Sequence, residues 1–222
     1  MKRFPLALLP LLALAGEPFN RLSPAEKQGG YQLLFNGRDL SGWSGDSSVW
    51  RVEDGSIVGT TDAHRIEQNT FLVHERPLGD FHLKAEVRLR NGNSGIQFRS
   101  TLHPGPGWIV SGYQADFSDA GERSAWGNFY EERGRRRTLM KTEDEGWQAA
   151  KPHVRPKDWN LIEVWAEGPR IRISLNGVQT IEAVDEKARN GVLALQLHSG
   201  EPMRVEFRNL KLKPRALKQS AR

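Results

Sequence analysis

Three short stretches of this 222-residue chain place amides, a carboxylate, a guanidinium and an imidazole at alternate positions. In Gly112–Asp119, Gln114 and Asp116 alternate with Tyr113, Ala115 and Phe117. In Gly95–Arg99, Gln97 and Arg99 alternate with Ile96 and Phe98, and in Val192–His198, Ala194, Gln196 and His198 oppose Leu193, Leu195 and Leu197. Successive side chains of a β-strand point to opposite faces, so each stretch predicts a strand with one apolar and one polar side. An ordinary solvated face tends toward Lys, Glu and Thr. Phe81–Leu89 shows such a face, with His82, Lys84, Glu86 and Arg88 opposite Leu83, Ala85, Val87 and Leu89. The Gln97/Arg99, Gln114/Asp116 and Gln196/His198 sets lack Lys and Glu, which suits a partly enclosed surface of directional hydrogen bonds. Three unrelated solvated faces are the alternative, because alternation does not make strands neighbours.

WGNFYEE, Trp126–Glu132, adds aromatic rings and two adjacent carboxylates. Regular alternation puts Trp126, Asn128 and Tyr130 on one face, with Phe129 and Glu131 on the other. Rings beside amides and carboxylates suit a sugar, whose C–H face stacks while its hydroxyls need partners. A structural Trp with surface Glu131 and Glu132 is the other reading. Arg133, Arg135, Arg136 and Arg137 around Gly134 predict a solvated hairpin turn. The six histidines are scattered without zinc-type spacing, and no Gly-x-Ser-x-Gly elbow or phosphate loop occurs. Seven tryptophans could suggest a lectin, but most are expected as core anchors of a sandwich.

The elements that must position these groups are short and β-type. Strand-like runs recur from Trp50 to Leu212, separated by Asp54-Gly55, Asn91-Gly92, Pro104-Gly105-Pro106-Gly107, Asn176-Gly177 and Asn190-Gly191. No helical periodicity is sustained beyond a turn near Ser23-Pro24-Ala25-Glu26, where Ser23 is a capping residue. Ten or so strands imply an all-β sandwich of two antiparallel sheets.

Residues 1–15 read as a signal peptide: Lys2 and Arg3, an apolar run, then Ala13-Leu14-Ala15. That run is shorter than the roughly 20 apolar residues of a membrane span. The expected organisation is a leader over 16–30, one domain over 31–213, and a basic, solvated tail over 214–222, in a protein exported to a periplasm or beyond. The chain has no cysteine, which excludes disulfides and thiolate ligands. Its net charge of +5 is concentrated at its ends. Removing Lys2, Arg3, Lys211, Lys213, Arg215, Lys218 and Arg222 from the 32 bases leaves 25 against 27 acids, no profile for a nucleic-acid partner.

LLFNGRDLSGW (Leu33–Trp43) and WRVEDGSIVG (Trp50–Gly59) resemble the opening of the 3-keto-disaccharide hydrolase family. NSGIQFR (Asn93–Arg99), GYQADF (Gly112–Phe117) and WGNFYEE resemble its central motifs. Trp159-Asn160, Asn176-Gly177 and the stretch from LQLHSG through FRNLK (Leu195–Lys211) resemble its end. Phe129 stands where the family usually has Leu. The resemblance runs from about Tyr31 to Lys213 and implies a concanavalin-A-like jelly roll that cleaves glycosides already oxidised at C3. A C3 ketone acidifies the C2 proton, so a base can remove it, the C1 aglycone is expelled, and water adds back. Such a site needs a base, an acid and stabilisation of the enolate. On this footing Asp116, Glu131 and His198 are expected as base or acid, and Arg99 as the oxyanion partner. Gln97, Gln114, Trp126, Tyr130 and Gln196 are expected to hold the sugar. Regular alternation sets Glu131 opposite Tyr130, so both cannot face one pocket on an unbroken strand. A divalent cation could replace Arg99 as the enolate stabiliser. A non-catalytic carbohydrate-binding module of the same fold is the competing class, and a domain that has lost activity a third.

Overall fold

In a computed structural model of the chain, residues 19–119, 125–135 and 143–215 are described. The signal-like stretch 1–15, Arg136, Arg137 and positions 216–222 of the tail lie outside them. The strands are β1 (Gln32–Leu33), β2 (Trp43–Ser44), β3 (Trp50–Glu53), β4 (Ser56–Thr60), β5 (Thr70–His74), β6 (Asp80–Leu89) and β7 (Gly92–Leu102). They continue with β8 (Val110–Asp119), β9 (Ala125–Glu132), β10 (Asn160–Glu167), β11 (Arg170–Leu175), β12 (Val178–Val184), β13 (Val192–Leu197) and β14 (Arg204–Arg215). Two short helices, α1 (Pro24–Gln28) and α2 (Glu145–Ala150), complete the described elements beside a single 3-10 turn. None is long and apolar enough to cross a membrane.

The strands form two antiparallel sheets. One has the order β12-β11-β10-β6-β14-β4-β3 with β1 on β14, and the other the order β2-β5-β13-β7-β8-β9. Asp54-Gly55 turns β3 into β4 and Asn176-Gly177 turns β11 into β12, each with two left-handed residues. Asn91-Gly92 instead carries the chain from β6 in one sheet to β7 in the other. This is the all-β sandwich of two antiparallel sheets that strand alternation implies, and the jelly roll that the family resemblance implies.

The inner faces make the core. Phe81, Leu83, Ala85, Val87 and Leu89 of β6 are at most 1% exposed, and they meet Ile96 and Phe98 of β7, Ala115 and Phe117 of β8, and Leu193, Leu195 and Leu197 of β13. Each fully buried aliphatic or phenyl side chain contributes about 1.5–3 kcal/mol. Trp43, Trp50, Trp126 and Trp147 are core anchors. The outer face of the eight-stranded sheet is laced with ion pairs rather than simply solvated. Arg208 meets Glu86, Arg204 bridges Glu53 and Glu206, and His82 lies between Tyr31 and Trp165 with Glu163 at 3.2 Å.

Part of the leader belongs to this body. Ser23 and Glu26 form a reciprocal capping box on α1, and Asn20 exchanges backbone-to-side-chain hydrogen bonds with Asn209 of β14. At the other end β14 runs on to Arg215, which reaches Glu167, two residues past the expected boundary at Lys213.

Candidate active site

The outer face of the six-stranded sheet carries the polar side chains, and its register brings them together. Gly95 pairs with Asp116, and Asp116 with Asn128; Ala194 pairs with Gln97, Gln97 with Gln114, and Gln114 with Tyr130. Ser94 Oγ donates to the Gln196 carbonyl at 2.7 Å, which brings β13 alongside the Gly95 row. The three separate alternations are therefore one polar surface. A Cβ at Gly95 would lie 2.4 Å from Gln114 Cδ. Only a glycine there lets the Gln114 side chain lie across β7.

Above this floor is a cleft of about 540 Å³, a size suited to a small molecule. Asn93, Gln114, Asp116, Tyr130, Glu132, Gln196 and His198 line it, and Glu67, Gln68, Asn69, Arg133 and Ser199 form its rim. Asp116 Oδ1 accepts from Gln114 Nε2 at 2.7 Å and from Asn93 Nδ2 at 3.3 Å. Burial pushes its pKa up to about 6; the Gln114 and Asn93 hydrogen bonds and the His198 charge oppose the rise, and Glu132 adds to it. His198 Nδ1 donates to the Ser199 carbonyl at 2.5 Å, so Nε2 is the nitrogen free to exchange a proton. Asn69 Oδ1 accepts from the Ser199 backbone N–H at 3.0 Å and steadies that loop. Gln196 Nε2 donates to Glu132 Oε2 at 3.3 Å.

Of the residues expected at the site, Asp116, His198, Gln114, Gln196 and Tyr130 line the cleft; four others lie elsewhere. Gln97 is fully buried beneath the floor, donating to Gln114 Oε1 at 2.5 Å. Arg99 stands in a bulge of β7 with φ +48°, and its guanidinium is buried away from the cleft. It donates to the carbonyls of Gly79 (3.0 Å), Gly168 (2.7 Å) and Ala188 (3.4 Å) and pairs with Asp80 of the opposite sheet at 2.7 Å. Arg99 thus ties the two sheets together instead of facing a substrate.

Trp126 is displaced by one extra residue. The register of β8 and β9 slips between Asp116 and Phe117, and Gly127 supplies the left-handed bulge at φ +75°. Beyond the bulge Trp126 faces inward and stacks on Phe117, with centroids 5.2 Å apart. A glycine inside a strand is the sequence signal for such a slip. Glu131 keeps the phase opposite Tyr130 and faces inward, where it pairs with Arg135 and Lys187. Burial raises its pKa, but those two cations outweigh the rise and hold it below the ordinary carboxylate range. Arg135 also meets Asp185 at 2.7 Å, and Tyr113 OH donates to Asp185, so the cluster clasps the loop after β12 to the β9 turn. Phe129, in place of Leu, packs against Phe98 and Tyr113 and leaves Tyr130 in the cleft.

Glu132 takes the cleft position beside Tyr130, and Asn93, just ahead of the strand residues singled out, supplies a further amide. Asn69 and Glu67 come from a stretch without periodicity, which left no mark in the sequence. Among the described residues no three of His, Cys, Asp and Glu converge to hold a metal ion. The arrangement offers a carboxyl and an imidazole able to exchange protons, a fan of amides for hydroxyls, and one aromatic ring.

No curated protein matches the chain. The solved structures it resembles include a Parabacteroides distasonis protein provisionally described as a glycosyl hydrolase, at 25% identity over 90% of this chain and all of the other, with a TM-score of 0.64. The carbohydrate-binding module CBM66 from Bacillus subtilis is 18% identical over 77% of this chain and 94% of its own, with a TM-score of 0.56. A Bacillus subtilis protein of galectin-like fold is 11% identical over 79% and 90%, also at 0.56. The last two share the fold. Residues 30–213 match the model of the 3-keto-α-glucoside-1,2-lyase-like domain, and the chain belongs to that 3-keto-disaccharide hydrolase family.

Proposed function

We propose that the protein cleaves 3-keto-glycosides by elimination across C1–C2 followed by hydration. The observation that carries this reading is a carboxyl group with its pKa near 6, held by two amides on the floor of a polar cleft beside an imidazole. A base poised near the working pH is what removal of a ketone-acidified proton requires. Asp116 takes the C2 proton, and the C–H electron pair becomes the C2=C3 bond of an enolate with its charge on the C3 oxygen; as the C3 carbonyl re-forms, the C2=C3 pair shifts to C1=C2. The C1–O bond breaks, its pair leaves on the aglycone oxygen, and protonated His198 supplies the proton from Nε2. Water then adds across C1=C2, which completes a net hydrolysis. With Arg99 committed to Asp80, the amides of Asn93 and Gln196 and the rim guanidinium of Arg133 are the donors for the enolate oxygen. Tyr130 offers its ring to the C–H face of the sugar. The export-type composition of residues 2–15 supports action outside the cytoplasm.

Incubation with a 3-keto-glucoside, beside the unoxidised glucoside and with and without chelator, tests the reading by aglycone release. Release from the keto substrate alone is expected. Sugar binding without release across a panel of keto-glycosides would overturn it in favour of a binding module.

A further inference from the structure

Ser100 and Gln97 have no place in the cleft wall, yet both are buried polar side chains beneath it, 2% and 0% exposed. Burial of such groups costs free energy that their hydrogen bonds do little more than offset. Together with Gln114 they form a one-way series. Ser100 Oγ donates to Gln97 Oε1 at 2.7 Å, Gln97 Nε2 donates to Gln114 Oε1 at 2.5 Å, and Gln114 Nε2 donates to Asp116 Oδ1 at 2.7 Å. The other acceptors near the Ser100 hydroxyl, the carbonyls of Phe98 and Tyr113, are longer at 3.1 and 3.4 Å. The Asp116 carboxylate, which only accepts, sets the sense of both amides, and the Ser100 hydroxyl donates at the far end to complete it: each carbonyl faces back toward Ser100 and each N–H2 faces toward Asp116. Reversal of Gln114 would set a carbonyl oxygen against the carboxylate.

We propose that Ser100, Gln97 and Gln114 form a positioning relay that keeps a short N–H donor on Asp116 Oδ1, so that Oδ2, which among the described residues meets only the longer 3.4 Å contact from Asn93 Nδ2, is the oxygen that exchanges the proton. This deepens the catalytic reading above and rests on Asp116 having that role. Ser100 and Gln97 act through Gln114 and touch no substrate. The charged groups facing Asp116 are His198 beyond β13, Glu132 on β9, and Glu67 and Arg133 at the rim. None of them is altered by the variants below.

The test is the titration midpoint of the Asp116 carboxyl, followed by carbon-13 NMR in the full protein, which needs neither substrate nor turnover. Ser100→Ala and Gln97→Met should each raise the midpoint by about half a pH unit, since a donor to the charged form is loosened. Thr70→Ala serves as control: it removes another hydroxyl bond of the same sheet, Thr70 Oγ1 to the Gly107 carbonyl at 2.8 Å, outside the relay. Its midpoint should stay at the wild-type value. Midpoints for Ser100→Ala and Gln97→Met that coincide with Thr70→Ala would overturn the relay, whether or not the protein cleaves a keto-glycoside. Failure of cleavage with shifted midpoints would leave the relay standing and remove the proposed reaction alone.

Discussion

Arg99→Met removes a guanidinium that makes hydrogen bonds to three backbone carbonyls and an ion pair with Asp80, all in the interior. After the change Asp80 still accepts from the Gly168 N–H at 3.1 Å, and the three carbonyls lose the guanidinium. Breaking one side of a buried pair costs about 3–5 kcal/mol. At a urea m-value of about 2–3 kcal/mol/M for a chain this size, the midpoint should fall by about 1.5 M, read by tryptophan fluorescence. Asp80→Asn in the same background should cost less than the sum of the two single changes, with a coupling of at least about 1 kcal/mol. The folded fraction of Arg99→Met should keep kcat within about tenfold, because an arginine that stabilised the oxyanion directly would be worth 10²–10³-fold. An unchanged urea midpoint together with a hundredfold loss of kcat would refute this reasoning and return Arg99 to the reaction.

Three further outcomes follow from the same geometry. Asp116→Asn should lower kcat by about 10²–10⁴-fold while sugar binding by calorimetry stays within a few-fold, and wild-type activity should fall below about pH 6 as this carboxylate protonates. Gly95→Ala should push Gln114 off the floor, since the new Cβ would lie 2.4 Å from Gln114 Cδ, with a loss of about 1–3 kcal/mol in unfolding and at least tenfold in kcat/KM. The clasp around Asp185 should set the acid limit of stability. The Arg135 and Tyr113 hydrogen bonds outweigh the upward pull of burial and lower the folded pKa to about 2, against an ordinary 3.8, so its contribution is complete above about pH 5 and disappears as pH falls from about 4 to 2. Asp185→Asn should flatten that part of the acid unfolding curve.

Period-two alternation made the sandwich legible, because β6, β8 and β13 each bury one face with little interruption. The pairing of Gln114 with Asp116, and of Gln196 with His198, was legible for the same reason. Alternation misplaced Trp126 because Gly127 adds a residue to the strand, and it missed the inward turn of Arg99 because the bulge there is not marked by a glycine. Glu131 shows a different limit: its phase was readable, but the cations that neutralise it come from the turn after β9 and from the loop after β12. Glu67 and Asn69 lie between strands, where nothing periodic betrays a side chain's direction.

The cleft has two tiers of unlike construction. Its floor comes from β7, β8, β9 and β13, hydrogen-bonded neighbours whose opposite faces are the core. Its rim comes from residues 67–69, Arg133 and Ser199, which sit between strands. A change on the floor alters packing and proton chemistry together, whereas a change at the rim alters which molecule is admitted. Under the proposed reaction, leaving-group preference can therefore diverge among relatives, or be re-engineered, by exchanging loops on an unaltered floor.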